Sequence, residues 1–327
     1  MPHPIVVTAG CTDPYQNLAR EEVFLESLPP DTVILFLWQN ARTIVIGRNQ
    51  NAWRECNTAL LEAEDGRLSR RITGGGAVWH DLGNLNFSFI ASENIFDIHR
   101  QVGLILSALN SLGFPASFSG RNDIVAEDGR KFSGNAFAHR RHASLHHGTL
   151  LIRADMENLM RYLNVPADKL ASKGIQSVRS RVCNISERLP DITLEQVRDA
   201  LERAFAAEYG PPVYGREVDE DRVAELARRN ASWEWIYGSS PACTARFETR
   251  FPWGGIEVDF CVDSGLVTTA RVFSDAMDPD IIASIPAALH GARFSPAALS
   301  SQVQELNKAF GSDILVDVAG WLDTLDI

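Results

Sequence analysis

Three consecutive glycines, Gly74, Gly75 and Gly76, place the strongest constraint on how this chain folds. Because glycine has no Cβ atom, it adopts positive φ angles readily and lets the backbone come close to a ligand. Arg70 and Arg71 precede the glycines, and the residues that follow them have a strand-like rather than a helical pattern. The stretch therefore predicts a loop between two strands, and not the strand–loop–helix turn of a dinucleotide-binding fold.

Two interpretations of this glycine loop are open from the residues alone. Consecutive backbone amides in such a bend can point into one concavity and bind an anion, and the planar guanidinium of Arg71 suits phosphate. The other interpretation is a flexible hairpin loop with two solvated arginines, since a glycine cluster is first of all a turn signal. The loop is not a Walker A motif, because no Gly-Lys-Ser/Thr follows it.

The charge and the cysteine pattern exclude several classes of protein. The 327 residues carry a formal net charge of −11, whereas nucleic-acid binding needs a basic face. No apolar run approaches the roughly 20 residues of a membrane span, and the first residues lack the pattern of a signal peptide. Five scattered cysteines without CxxC spacing suit a reducing cytoplasm. We therefore expect a cytoplasmic monomer that binds neither nucleic acid nor membrane.

Helical and strand patterns are mixed along the chain and predict the α+β class. Helices are predicted at residues 14–28, 56–64, 97–112, 155–163, 193–208, 217–229, 279–289, 295–310 and 313–325. Strands are predicted at residues 32–38, 43–47 and 85–90, in several short pieces between 116 and 152, and in a hairpin covering 253–273. The change of pattern near residue 243 predicts a larger domain of residues 1–243 and a small α+β domain of residues 244–327.

Lys131 is one of only four lysines in the chain, and it lies in a predicted strand beside Ser133 and Gly134. An ammonium group in this position could bridge a carboxylate and a phosphate, and so neutralise charge that develops during attack on the α-phosphate. The alternative is a surface lysine that extends along a strand edge into solvent.

Four histidines are candidates for a metal site, and one cysteine is a candidate for thiol chemistry. The histidines are at positions 139, 142, 146 and 147, but few carboxylates and no cysteine accompany them, so a zinc site is not favoured. We expect His146 or His147 to face a pocket in its neutral form. Cys183 is either a thiolate nucleophile near Arg179 and Arg181 or a small buried hydrophobe, and we favour the second.

Six segments, in this order along the chain, resemble those of the lipoate–protein ligase A family. They are residues 45–51 with 55–57, 70–84, 120–123, 130–134, 146–151 and 172–184. The C-terminal part is similar to the accessory domain of the long bacterial ligases, through residues 253–255 and 272–275. The resemblance implies a biotin/lipoate ligase-like catalytic domain at 1–243, with a mixed β-sheet flanked by helices, and an accessory domain at 244–327.

The resemblance also implies a two-step reaction with ATP and lipoate as substrates and with Mg²⁺ carrying part of the phosphate charge. In the first step the carboxylate of lipoate attacks the α-phosphate of ATP, which gives lipoyl-AMP and pyrophosphate. In the second step a lysine of an acceptor protein attacks this anhydride and forms an amide. The implied acceptors are the apo lipoyl domains of 2-oxoacid dehydrogenase E2 subunits and the glycine cleavage H protein.

The family's functional residues are carried over only to positions that match its motifs. The implied catalytic residue is Lys131. The implied ATP-binding residues are Arg71, Gly76, Ala77, Val78, Trp79 and Lys131. The implied lipoate-binding residues are Lys131, Gly75, His147 and Gly148, and the other implied pocket residues are Asn84 and Asp123.

Other functions remain as alternatives to the ligase. Ile72 and Trp79 depart from the family pattern beside the glycines, and this bears on acyl-chain preference more than on the reaction. A biotin–protein ligase, an octanoyltransferase of the same fold and a non-catalytic lipoate-binding protein are the alternatives. The octanoyltransferase would need a reactive cysteine in the acyl pocket, and none lies between Cys56 and Cys183. Retention of Lys131 and Arg71 argues against a non-catalytic protein.

Overall fold

The computed structural model describes residues 2–119, 122–164, 181–240, 242–274, 276 and 278–327. Residues 120–121 and 172–180, which belong to two of the family-like segments, therefore lie outside the described residues. The chain divides into two compact units, one made of Met1–Arg48 with Asp65–Ala231 and the other of Asn49–Glu64 with Ser232–Ile327. Among the helices of the described ranges, none has both the length and the apolar character that crossing a membrane requires.

The first unit is built on a mixed sheet of eight strands. The strands are β1 (His3–Thr8), β2 (Thr32–Trp38), β6 (Asn84–Ser92), β7 (Ala116–Ser119), β8 (Asp123–Ala126), β9 (Lys131–His139), β10 (Ala143–Leu151) and β11 (Val213–Tyr214). Their order is β11-β1-β2-β6-β10-β9-β8-β7, with β1 parallel to both β11 and β2 and all other pairs antiparallel.

A smaller sheet in the same unit holds the glycine loop. It consists of β3 (Thr43–Ile46), β4 (Arg67–Arg70) and β5 (Val78–His80), in the order β4-β3-β5. Strand β3 is parallel to β4 and antiparallel to β5. The three glycines connect β4 to β5, as the strand-like residues on their C-terminal side predict.

In the described part of the first unit, the longer helices are α1 (Pro14–Glu26), α4 (Ile98–Ser111), α5 (Met156–Tyr162), α6 (Leu194–Tyr209) and α7 (Glu220–Ala231). Helix α1 begins where the sequence predicts, because the carboxylate of Asp13 accepts from the amides of Tyr15 and Gln16 and Pro14 occupies the first turn. Thr193 and Gln196 form the predicted capping box of α6.

The main sheet is buried on both faces, which explains the continuous apolar run of β2. Leu35 and Leu37 belong to the core cluster that includes residues of α4 and α6, whereas Ile34 and Phe36 belong to a second cluster that includes residues of α1. Successive side chains of a strand point to opposite faces, so one strand supplies both cores. The cleft described below lies on the α1 side.

The second unit contains an antiparallel sheet and helices packed around one core. Its elements are α2 (Ala52–Glu55), α3 (Thr58–Ala63), α8 (Trp233–Ile236), β12 (Cys243–Phe251), β13 (Gly254–Asp263), β14 (Leu266–Ser274), α9 (Pro279–Leu289), α10 (Pro296–Phe310) and α11 (Asp313–Asp323). The ring of Trp53 packs on Tyr237 and Phe294, and the hydroxyl of Thr58 donates to the carbonyl of Ile327. The segment between β3 and β4 is thus part of this unit.

Most predictions of secondary structure are confirmed, as is the α+β class. The helix predicted at 56–64 corresponds to α3, which begins two residues later because Cys56 is extended, and the short helix α2 was not predicted. Strands β1, β11 and β12 were not predicted. The domain boundary after residue 243 stays a prediction, and the two compact units divide the chain at residues 48, 64 and 231 instead.

Candidate active site

A cleft in the first unit lies between the small sheet with its glycine loop and the α1 face of the main sheet. It encloses about 590 Å³, part of which is open to solvent. The lining residues are Leu18, Trp38, Val45, Arg71, Gly75, Gly76, Ala77, Val78, His80, Asn86, Asn122, Lys131, Gly134, Asn135, Ala136, His147, Gly148 and Thr149. The glycines and Lys131 are solvent-accessible, whereas Trp38, Val45 and His80 are buried. The cleft therefore has an exposed polar mouth and a buried, largely apolar inner end.

The position of the glycine loop is set by its close approach to the end of β3. A Cβ atom at Gly47 would lie 2.2 Å from the carbonyl oxygen of Gly75, so only glycine fits at residue 47. The amide of Arg48 donates to the carbonyl of Thr73 over 2.8 Å. Gly75 itself has φ of +94°, which residues with a Cβ atom rarely adopt.

Arg71 is buried beneath the loop and not extended into solvent. Its Nη2 donates to the carbonyl oxygens of Gly74 (2.7 Å) and Gly76 (2.8 Å), and its Nη1 donates to the carbonyl of Val45. Its Nε donates to the hydroxyl oxygen of Thr73. Burial lowers the pKa of Arg71 to about 10, so the guanidinium stays charged at neutral pH. Most of its donors are engaged by the loop, and this arrangement points to a role in shaping the loop, while direct contact with phosphate stays a prediction.

The backbone amides of the loop remain for a ligand. Within the described part of the chain, the amides of Gly74, Gly75, Gly76 and Ala77 donate to no other group. The carbonyls of Gly74 and Gly76 turn toward the buried charge of Arg71, and the three glycines are exposed. Unpaired amides in one bend form the kind of concavity that binds an anion.

Lys131 begins strand β9 on the other side of the cleft. Its backbone is fixed by hydrogen bonds with Arg181 and Cys183, and its Nζ lies 2.7 Å from a carboxylate oxygen of Asp123. The side chain passes over Gly134, where a Cβ atom would lie 2.9 Å from Nζ. The ammonium group is therefore directed along the cleft wall, and Asp123 is the residue that holds it.

Consecutive histidines of β10 face opposite sides of the sheet. His147 lines the cleft, with Nδ1 2.9 Å from a carboxylate oxygen of Glu21 and Nε2 2.8 Å from the hydroxyl of Thr73. His146 lies in the opposite core among aromatic rings, where Gln101 and Asn135 contact its two ring nitrogens at 2.9 Å. The sequence alone could not tell which of the two faces the cleft, because that depends on the register of β10.

Three residues implied by the resemblance have packing roles around the cleft, and of these three only Gly148 lines it. Trp79 is buried, its indole donates to Asp81 over 2.9 Å, and its ring packs on Tyr162. The side-chain amide of Asn84 donates to Asn86, which does line the cleft. A Cβ atom at Gly148 would clash with the ring of Phe87 at 2.6 Å, so glycine is required there by packing.

Several lining residues were missed by sequence reasoning. They are Leu18, Trp38, Val45, His80, Asn86, Asn122, Gly134, Asn135, Ala136 and Thr149. Asn86 could have been recognised as a candidate site residue, because a side-chain amide inside the fully buried strand β6 needs a hydrogen-bond partner or a ligand. The apolar lining residues could not have been recognised, since Trp38 and Val45 are indistinguishable in sequence from ordinary core residues.

Two buried histidines make stability depend on pH. Burial lowers the pKa of His80, and that of His146, from 6.5 to about 3. As the pH falls below 6.5, the unfolded chain binds protons at these positions that the folded chain does not bind, so stability is full above pH 6.5 and is lost toward pH 3. We expect the free energy of unfolding to fall by roughly 4 kcal/mol between pH 7.5 and pH 5 from these two groups.

Urea unfolding at the two pH values measures this loss. His146→Gln removes one titrating group, so we expect about half of the pH-dependent loss to disappear, whatever the stability of the variant at pH 7.5. His99→Gln, at an exposed position of α4, is the matched control and should leave the loss unchanged. An unchanged pH dependence in His146→Gln would show that His146 is not held neutral by burial.

The described residues do not form a metal site. In the ranges that the structure covers, no three His, Cys, Asp or Glu residues are placed to hold a metal ion, and no carboxylate lines the cleft. Asp123, the nearest carboxylate to Lys131, is engaged by that ammonium group. The Mg²⁺ implied by the resemblance therefore has no protein ligand set here, and we treat it only as a counterion that would arrive with ATP.

Comparison with known proteins shows the family to which the chain belongs. Residues 13–206 match the model of the lipoyl protein ligase A/B catalytic domain, and residues 240–322 match that of the bacterial lipoate protein ligase C-terminus. The chain therefore belongs to the lipoyl protein ligase A/B family. The second match identifies it as a form with the additional C-terminal domain, as the sequence resemblance predicts.

Solved structures of lipoate–protein ligases are similar to the chain. The Plasmodium falciparum protein LipL1 in complex with lipoate is 29% identical over 98% of this chain and 100% of its own, with a TM-score of 0.62. A bipartite lipoate–protein ligase of Thermoplasma acidophilum, determined with its E2 lipoyl domain, is 30% identical over 73% of this chain and 96% of its own, with a TM-score of 0.63. A lipoate–protein ligase A bound with ATP is 29% identical over 73% and 100%, with a TM-score of 0.62.

Proposed function

We propose that this protein is an ATP-dependent lipoate–protein ligase that forms lipoyl-AMP and transfers the lipoyl group to a lysine of an acceptor domain. The observation that carries the proposal is the pairing of two features across one cleft. Unpaired amides of the glycine loop lie on one side and the ammonium of Lys131 lies on the other. The family membership, and the lipoate and ATP bound by similar ligases, support the same assignment.

The first step joins the two substrates. A carboxylate oxygen of lipoate attacks the α-phosphorus of ATP, the bond from that phosphorus to the bridging oxygen breaks, and pyrophosphate leaves with the electron pair. Negative charge grows on the α-phosphate oxygens during this step. A preorganised ammonium and a set of amides stabilise that charge more strongly than water does. Lys131 is therefore the proposed catalytic residue, and Gly75, Gly76, Ala77 and Val78 form the proposed nucleotide wall.

The second step releases AMP. The neutral amine of the acceptor lysine attacks the carbonyl carbon of lipoyl-AMP, the bond to the phosphate oxygen breaks, and a proton leaves the amine. Lys131 then faces the phosphate of the leaving AMP, whose charge it balances. The acyl chain would occupy the buried inner end between Leu18, Trp38 and Val45, where apolar surface suits a hydrocarbon chain. The proposed acceptors are apo lipoyl domains of 2-oxoacid dehydrogenase complexes and the glycine cleavage H protein.

An octanoyltransferase is the alternative function that would require a reactive cysteine. The thiol of Cys183 is buried, and burial raises its pKa to about 11, so it is protonated at neutral pH. Of the cysteines whose side chains the structure describes, none lines the cleft. A thioester mechanism would need a reactive thiolate beside the acyl group.

We therefore expect Cys183→Ser to keep at least about half of the wild-type activity, measured as lipoate-dependent ATP–pyrophosphate exchange. The substitution is nearly isosteric, and the buried thiol takes no part in the proposed reaction. Thermal unfolding of the same sample separates lost activity from lost folding. A correctly folded Cys183→Ser variant without activity would favour the thioester route.

The test of the proposed function is the intact mass of an apo lipoyl domain after incubation with this protein, ATP, Mg²⁺ and lipoate. We expect one lipoyl group to be added, and no addition when ATP is left out or when the acceptor lysine is replaced by arginine. Biotin in place of lipoate tests the biotin ligase. Addition of an octanoyl group from an octanoyl thioester, without ATP and with release of the thiol, would support the octanoyltransferase, and no addition under any condition would support a non-catalytic lipoate-binding protein.

A further inference from the structure

A buried carboxylate stands in the apolar stripe of helix α1 and has no part in the reaction as described so far. Glu21 lies between Leu18 and Leu25 on the inner face of the helix and is 1% exposed. It does not line the cleft. Its Oε1 lies 2.9 Å from Nδ1 of His147 and also accepts a hydrogen bond from the hydroxyl of Ser88. A buried carboxylate is costly unless such partners compensate it, so its place needs an explanation.

One branch of this hydrogen-bonded chain leads to the glycine loop. Nε2 of His147 contacts the hydroxyl oxygen of Thr73 at 2.8 Å, and the same oxygen accepts from Nε of Arg71 at 2.9 Å. Arg71 then donates to the carbonyls of Gly74 and Gly76. The carboxylate of Glu21 is thus connected, through a histidine and a threonine, to the guanidinium that shapes the loop.

The proton positions in this branch follow from the chemistry of its two ends. A carboxylate only accepts, so Nδ1 of His147 carries a proton and donates it to Glu21. A guanidinium only donates, so the oxygen of Thr73 accepts from Arg71, and the hydroxyl of Thr73 still has a proton that it can donate to Nε2 of His147. With a proton on Nδ1 of His147, the ring donates to Glu21 and its Nε2 contacts the hydroxyl of Thr73, so every member of the branch has a partner.

The second branch leads to the wall at the inner end of the cleft. Ser88 on β6 donates its hydroxyl proton to Glu21 and accepts from the indole Nε1 of Trp38 over 2.9 Å. Trp38 lines the cleft, and its ring also packs edge-on against His80. One carboxylate is therefore connected to two parts of the cleft wall, the glycine loop and Trp38, through two separate sets of hydrogen bonds.

We propose that Glu21 is a positioning residue that holds the glycine loop through His147 and Thr73 and holds Trp38 through Ser88. The inference rests on the proposed function, because it takes the loop as the nucleotide wall and Trp38 as part of the acyl wall. The electrostatics agree with the geometry, since the charge of Glu21 raises the pKa of Arg71 and so opposes the effect of burial. Glu21 thus stabilises the buried cation beneath the loop.

The two branches are tested separately by single substitutions that each remove one hydroxyl. Thr73→Val should raise the KM for ATP about fivefold, the scale of one lost hydrogen bond, and leave the dissociation constant for lipoate within twofold. Ser88→Ala should give the reverse, weaker lipoate binding with an unchanged KM for ATP. Thr73→Ser keeps the hydroxyl and should restore the wild-type KM.

Glu21 itself should affect both walls. Glu21→Leu removes both accepted hydrogen bonds and should raise the KM for ATP and the dissociation constant for lipoate, each at least about fivefold. Glu21→Gln keeps an acceptor oxygen and should recover most of the loss. Glu22→Gln is the matched control, because Glu22 is on the same helix but pairs with Arg229 away from the cleft, and it should leave both constants unchanged.

A readout that does not need activity separates this inference from the proposed function. In ¹⁵N NMR spectra of protein labelled at arginine and histidine, we expect a protected Nε–H of Arg71 and the Nδ1–H form of His147. Thr73→Val and Glu21→Leu should speed the exchange of the Arg71 proton at least about tenfold, while Glu22→Gln should not. If the wild type lacked ligase activity but these signals behaved as stated, the proposed function would fail and the hydrogen-bonded chain would stand.

The opposite result would overturn the inference. A folded Glu21→Leu variant with wild-type constants for both substrates, or one that lost only thermal stability, would show that Glu21 has a purely structural role. The same conclusion would follow if Thr73→Val left both the KM for ATP and the exchange of the Arg71 proton unchanged.

Discussion

Replacing Lys131 with alanine should lower lipoate-dependent ATP–pyrophosphate exchange at least about 100-fold, the scale of removing one preorganised charge from a transition state. Lys131 lines the cleft opposite the glycine loop, and its ammonium is held 2.7 Å from Asp123. Without it, the charge on the α-phosphate has only the loop amides to stabilise it. Because the charge develops in the transition state, the loss should fall mainly on kcat.

The control for this substitution is Lys308→Ala. Lys308 is an exposed lysine of the second unit that pairs with Glu305 one helical turn away. An exposed pair of this kind contributes little to stability, so both activity and unfolding should stay near wild type. Near-normal exchange in a folded Lys131→Ala variant would refute the catalytic role of Lys131.

Alanine at Gly75 should weaken ATP binding about tenfold, and valine at the same position about 30-fold, when affinity is measured by calorimetry. Gly75 has φ of +94°, and a Cβ atom there would lie 2.9 Å from Nη2 of Arg71. Strain of this kind costs roughly 1–3 kcal/mol, and each 1.4 kcal/mol changes an equilibrium tenfold. The loop would also lose the guanidinium that fixes its carbonyls.

The neighbouring glycines supply matched controls for this prediction. A Cβ atom at Gly74 or Gly76 would meet nothing within 4 Å, and neither residue has a positive φ angle. Gly74 lies outside the proposed nucleotide wall, so Gly74→Ala should bind ATP within about threefold of wild type, since only entropy and a small methyl group change. Equal losses in Gly74→Ala and Gly75→Ala would contradict the loop geometry described above.

The sequence predicted the glycine loop and the strand lysine, because both depend on local properties. A triple glycine between two strand-like stretches excludes a helix directly after it, and Asp13 with Pro14 determines where α1 begins. Lys131 stood out because lysine is rare in this chain. Each of these signals is read from a few adjacent residues.

The contacts between residues that are far apart in sequence could not be predicted from the sequence. The sequence did not predict that Arg71 donates to the carbonyls of Gly74 and Gly76, because the folded loop brings these carbonyls within reach. Glu21 gave a signal, a carboxylate in an apolar stripe, yet its partner His147 is 126 residues away. The position of Trp38 in the cleft wall was not predicted, because it depends on the pairing of β2 with β6.

The domain organisation was likewise predicted only where it depends on adjacent residues. The hairpin of β13 and β14 was predicted, since its turn residues Asp263, Ser264 and Gly265 are a local signal. That residues 49–64 join the second compact unit was not predicted, because the ring contact of Trp53 with Phe294 joins residues far apart in sequence. Compact units are therefore harder to predict than the elements inside them.

The central claim is that the glycine loop and Lys131 hold opposite sides of an acyl-adenylate. A crystal structure with a non-hydrolysable analogue of lipoyl-AMP tests it most directly. We predict that the phosphate-equivalent group accepts hydrogen bonds from the amides at residues 75–77, with Nζ of Lys131 within hydrogen-bond distance on the other side and the acyl chain against Trp38. An analogue bound elsewhere, with the loop amides unpaired and Lys131 turned to solvent, would contradict the claim.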